Sequence, residues 1–130
     1  MKKYFLFLFL LFSVLHFSQS NVKLPFVGIR SFSFCGGNAC ESYIEITKNG
    51  MCRIESYGFD GTVIKEYNGK YAPTIWIYSK GKKERGYRII GNNTIISLKP
   101  NGQPERDCEP RGKICESYLY YTDKNGNVRY

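Results

Sequence analysis

Histidine is nearly missing from this chain of 130 residues, occurring once, at His16, inside an N-terminal leader-like stretch. Past that point there is no imidazole. Ser-His-Asp and Cys-His nucleophilic sites are therefore excluded, because they need a group that takes and returns protons near neutral pH. Histidine-ligated zinc and haem are excluded with them. Carboxylate-pair, Tyr/Arg or lone-Lys chemistry survives. Long apolar runs are also lacking: residues 4–17 fall short of the roughly 20 that a helical bilayer span needs, and nothing downstream is longer. No segment carries a sustained helical stripe, and no phosphate loop, calcium loop or nucleotide fingerprint is present. No low-complexity block or linker divides the chain. No cofactor and no metal site are expected.

What is present begins with MKKYFLFLFLLFSVLHFSQS. Lys2 and Lys3 precede an apolar run, and Ser18 and Ser20 stand at −3 and −1 of a cut before Asn21. That is the layout of a secretory signal peptide. We expect residues 1–20 to be removed and residues 21–130 to form a single all-β domain, exported to a periplasm or the medium. The remaining chain has 17 basic and 11 acidic side chains, a net charge of +6. Its length suits one domain and not two.

Short runs rich in Val, Ile, Tyr, Phe and Thr are separated by turn signals: Asn49-Gly50, Asp60-Gly61, Asn68-Gly69, Lys80-Gly81, Gly91-Asn92, Asn101-Gly102 and Asn125-Gly126. Asn-Gly and Asp-Gly favour tight hairpins because both residues tolerate positive φ. Strands are expected over 27–34, 41–47, 52–57, 62–67, 74–78, 84–90, 94–99, 116–122 and 127–130. Such a series predicts an antiparallel meander of about 8–9 short strands, a small barrel or sandwich.

Two stretches are nearly the same: CESYIEITKNGMCR from Cys40 and CESYLYYTDKNGNVR from Cys115. In the first, a three-residue loop at 48–50 would set Ile46 opposite Cys52 and Ile44 opposite Ile54 on an apolar face, with Glu45 and Arg53 paired on the other. In the second, a turn at 123–126 would set Tyr121 near Val128. Only nine residues follow Tyr121, which excludes tandem duplication of a half-domain. Similar first and last hairpins suit a sheet whose ends approach each other.

In an exported chain Cys35, Cys40, Cys108 and Cys115 are expected to pair, stapling the domain. Local loops, Cys35–Cys40 and Cys108–Cys115, are favoured because Gly36, Gly37 and Gly112 let the chain turn back; a cross pairing between the chain ends is the alternative. Metal binding by these four cysteines is disfavoured by spacing and by oxidation. Cys52 is left as a buried free thiol beside Ile46 and Ile54, where burial raises its pKa rather than activating it.

Residues 80–88 carry five positive charges, Lys80, Lys82, Lys83, Arg85 and Arg88, and a looser group comprises Arg106, Arg111 and Lys113. Together they predict a basic surface for an acidic protein or an anionic polymer; no specific nucleic-acid motif accompanies them. Ten tyrosines, four phenylalanines and Trp76 follow the leader. Alternation puts Ile75 and Ile77 on one face of their strand and Thr74, Trp76 and Tyr78 on the other. The function expected is that of an exported, non-enzymatic binding protein working through that surface. A small β-barrel carrier of an apolar ligand is the alternative. For catalysis, Glu41 with Glu116, the equivalent glutamates of the two CESY copies, is the one constellation to consider.

Overall fold

The computed structural model describes residues 22–35, 41–58, 60–108, 112–122 and 128–129. The leader, Cys40, Arg111 and the turn at 123–127 lie outside the described residues. The described chain is all-β and antiparallel, with strands β1 (Gly28–Phe32), β2 (Ser42–Ile46), β3 (Met51–Tyr57), β4 (Val63–Lys70), β5 (Thr74–Ser79), β6 (Lys82–Ile90), β7 (Thr94–Leu98), β8 (Glu116–Tyr118), β9 (Tyr120–Thr122) and β10 (Val128–Arg129). They form a six-stranded sheet in the order β10-β9-β1-β2-β3-β4 and a four-stranded sheet in the order β5-β6-β7-β8.

The first hairpin has the register that its alternation demands. Ile44 stands opposite Ile54, Ile46 opposite Cys52 and Glu45 opposite Arg53. The loop at 48–50 closes on itself, with Gly50 at φ 85°, a conformation that glycine adopts without steric cost. Arg53 Nη2 lies 3.0 Å from Glu45 Oε1 on the outer face. On the inner face Ile44, Ile46 and Ile54 are fully buried.

The first and last hairpins share one sheet, because β1 pairs with β2 on one side and with β9 on the other, but the second CESY itself lies on β8 of the four-stranded sheet. The last hairpin differs from expectation by one position. Tyr121 stands opposite Arg129, and Val128 opposite Thr122, so the connection spans 123–127. The strand expected at 116–122 is broken at Leu119, where the chain leaves the four-stranded sheet for the six-stranded one. Leu119 is buried at this crossing, and its N–H donates to Asn93 O at 2.7 Å. It occupies in its copy the place of Ile44 in the other, and both serve the same core. Asn68-Gly69, which reads as a turn, lies instead inside β4, beneath the Tyr67 ring.

The core fills the space between the sheets. Phe32, Ile44, Ile46, Cys52 and Ile54 from one sheet meet Ile75, Ile77, Tyr87 and Ile95 from the other. Cys108 is bonded to Cys115, with Cα atoms 5.4 Å apart, and closes the connection from β7 to β8. Cys35 is also disulfide-bonded. Cys52 is a free thiol, 1% exposed, and burial pushes its pKa up to about 12. Among the described residues no helix is long and apolar enough to cross a membrane, and no cluster of three metal-ligating side chains occurs.

Candidate functional site

Two irregularities, one in each sheet, decide what faces the space between them. Between Ile54 and Glu55 the pairing of β3 with β4 shifts, so that Ile54 stands opposite Tyr67 and Glu55 opposite Lys65. Glu66 is the extra residue of this bulge. A bulge re-aims side chains that strict alternation would send elsewhere. Here Glu66 and Tyr67 both turn inward: Glu66 is 5% exposed, and Tyr67 packs against the core. In the other sheet the pairing shifts between Ile77 and Tyr78, with Ile77 opposite Arg85 and Tyr78 opposite Lys83. Arg85 therefore shares the inner face with Ile77, while Lys83 is carried to the outer face with Tyr78.

Glu66 and Arg85 meet across the gap. Arg85 Nη2 lies 2.9 Å from Glu66 Oε1, and the Tyr87 hydroxyl donates to Glu66 Oε2 at 2.7 Å. Both carboxylate oxygens are thus engaged, while Arg85 Nε is buried with no partner among the described residues. Burial, and next the Glu66 charge, push the Tyr87 phenol well above the ordinary tyrosine range. Burial alone would lower Arg85, but Tyr87 with Glu66, Glu84 and Glu105 more than offsets it and raises the guanidinium. Glu105 is held nearby by the Ser97 hydroxyl at 2.8 Å.

Glu66, Arg85 and Tyr87 line an open cleft of about 470 Å³. The walls include Phe34, Tyr57, Ile64 and Tyr87; the polar groups are Ser42, Ser56, Glu66, Arg85 and Asp107. Ser42 Oγ and Ser56 Oγ are 3.0 Å apart, and Phe34 lies parallel to Tyr87 with ring centres 6.1 Å apart. Cys35 and Cys108 complete the lining, so disulfide-held backbone borders the cleft. The space between the sheets farther in is occupied by the protein's own side chains.

The basic residues singled out from the sequence are divided by the fold. Lys80 and Gly81 form the two-residue turn of the β5–β6 hairpin, both at positive φ, 52° and 76°. Lys82, Lys83 and Arg88 are exposed on β6. Lys83 Nζ lies 4.1 Å from the centre of the Trp76 ring, and Trp76 lies flat over Gly86, its cross-strand partner. Arg88 donates to Thr74 Oγ1 at 3.2 Å. Among the described residues none of Lys80, Lys82, Lys83 and Arg88 has a carboxylate within 4.0 Å. Arg85 is drawn away from them into the cleft. Lys113 is exposed in the disulfide loop, where Arg106 donates to Gly112 O at 3.0 Å. Glu41 and Glu116 belong to different sheets, and neither lines the cleft. Glu66, Tyr87 and the two serines escaped the sequence reading. Gly86 inside a strand pattern marks the close approach of Trp76 on the outer face, not the cleft, and no local pattern signals the four cleft residues.

Comparison of the chain with family models, with curated proteins and with solved structures finds no match.

Proposed function

We propose that this is an exported, non-enzymatic binding protein that takes an anionic polymer on the outer face of its β5–β6 hairpin. The observation that carries the reading is the Lys83 ammonium stacked on Trp76, beside exposed Tyr78 and the uncompensated charges of Lys80, Lys82 and Arg88. A cation on an aromatic face keeps its charge available while its stem is held in place, which preorganises it for an anion. The two-residue turn and the Trp76–Gly86 contact make this hairpin a rigid platform rather than a loose tip. Export rests on the leader-like first 20 residues and agrees with the disulfide between Cys108 and Cys115.

Dextran sulfate serves as the probe. Binding should weaken by about tenfold as ionic strength rises from roughly 0.05 to 0.3 M, because exposed charges are screened over that range. The Lys82→Gln/Lys83→Gln/Arg88→Gln protein should lose a similar factor and keep its fold. Binding indifferent to both salt and these substitutions would overturn the reading.

A further inference from the structure

The cleft at Glu66, Arg85 and Tyr87 has a chemistry opposite to that of the basic face. We infer that it is a binding site for a small, neutral, polyhydroxylated ring of the pyranose sugar class.

Charge narrows the ligand first. Glu66 and Arg85 neutralise each other at 2.9 Å, and the second Glu66 oxygen is held by the Tyr87 hydroxyl. Among the described lining residues Asp107 is the remaining charge, exposed and without an ion pair. An anionic ligand would enter beside two carboxylates. A cationic one would meet the Arg85 guanidinium, and Asp107, the carboxylate left to pair with it, is exposed to water that screens the attraction. Charge taken from water without a partner is costly, so a neutral ligand is the one that the cleft admits.

The walls then specify its shape. Phe34, Tyr57, Tyr87 and Ile64 offer apolar surface against which the C–H face of a ring can lie. Ser42 and Ser56 form one hydroxyl–hydroxyl bond at 3.0 Å; whichever donates, the other keeps a free O–H, and both keep lone pairs. Such a pair both donates and accepts, as ligand hydroxyls do. The Arg85 side chain, 39% exposed, adds donors at the same mouth. A volume of about 470 Å³ lies within the roughly 300–1,000 Å³ usual for small-molecule sites. Apolar walls with a few convergent polar groups are the makeup of such sites.

The test titrates the full oxidised protein with methyl glucoside, glucuronate and glucosamine, three rings of one size that differ in charge. Backbone amides of Ser42, Ser56, Tyr57 and Glu66 are followed by NMR. Methyl glucoside should shift them saturably and bind at least about tenfold more tightly than either charged ring. Salt that releases dextran sulfate should leave this binding unchanged, which separates it from the basic face. Ser56→Phe, which fills the cleft, and Tyr57→Ala, which removes an exposed part of its wall, should each weaken binding by about tenfold or more. No saturable shift from any ring, tighter binding of a charged ring, or shifts confined to the β5–β6 hairpin would overturn the inference. So would wild-type affinity in both variants.

Discussion

Glu66→Gln removes one charge and almost no volume, and so isolates the electrostatics that tie the two sheets together. At 2.9 Å and an effective dielectric near 20, the gross attraction of Glu66 for Arg85 is about 6 kcal/mol. Most of it is returned: Glu66 is desolvated, and Arg85, 39% exposed, is screened by water. Glutamine keeps one carbonyl oxygen for two donors, Arg85 and the Tyr87 hydroxyl, so one of them must face an amide N–H. A buried donor left without its partner costs about 1–3 kcal/mol. We expect a net loss of about 2–3 kcal/mol at pH 7. Urea unfolding followed by the fluorescence of Trp76, the single tryptophan, should show a midpoint lowered by about 1–2 M with an unchanged slope. Tyr87→Phe added to Glu66→Gln should cost less than the sum of the two, by at least about 0.5 kcal/mol, because the surviving oxygen then serves Arg85 alone. A loss below about 0.5 kcal/mol for Glu66→Gln, the range of an ordinary surface change, would refute the reasoning. So would strict additivity with Tyr87→Phe.

Two further outcomes follow from the packing. A Cβ added at Gly86 would lie 2.7 Å from Trp76 Cζ3 and 2.8 Å from Cε3, so Gly86→Ala must lift the indole and break the Lys83 contact. The cost of about 1–2 kcal/mol is partly offset by a stiffer unfolded chain, leaving about 1 kcal/mol of destabilisation and a red-shifted Trp76 emission; an unchanged emission and midpoint would contradict this. The Cys52 thiol has its folded pKa raised from 9.0 to about 12, so its contribution to stability is complete below pH 9 and is lost as pH rises toward 12. Tyr87, also raised, acts in the same direction above pH 10. Between pH 9 and 11 Cys52→Val should reduce the fall of stability with pH by up to about 1.4 kcal/mol per unit, and equal slopes for the two proteins would refute the assignment.

Much of this fold is local and was therefore legible. Ile44, Ile46, Cys52 and Ile54 alternate with Glu45 and Arg53 around a Lys-Asn-Gly loop, and a slip by one residue would put the aliphatic set in water. Ile75 and Ile77 are buried and Tyr78 is exposed for the same reason. The all-β class, the antiparallel order and the short Cys108–Cys115 loop all rest on turn chemistry and spacing within a dozen residues. Where two strands have no single neighbour to answer to, the reading slipped. Leu119 lies between two sheets, and the last hairpin moved by one position with its longer connection.

The amino-acid sequence by itself determined most of the strands, the first hairpin's register, the buried thiol and the local concentration of positive charge, because period-two alternation and glycine turns act between near neighbours. Only the tertiary structure decided that Arg85 leaves the basic group to meet Glu66. Arg85 keeps the alternation of Tyr87 and Ile89, and Glu66 is brought to meet it by the bulge in β4, a single extra residue that breaks the alternation there. A bulge is set by how a strand must bend to cover the opposite sheet, and no window of β4 or β6 alone contains that opposite sheet. The irregularity between β5 and β6 turns Lys83 outward onto Trp76. The partition between cleft and basic face is therefore a property of the packed sheets.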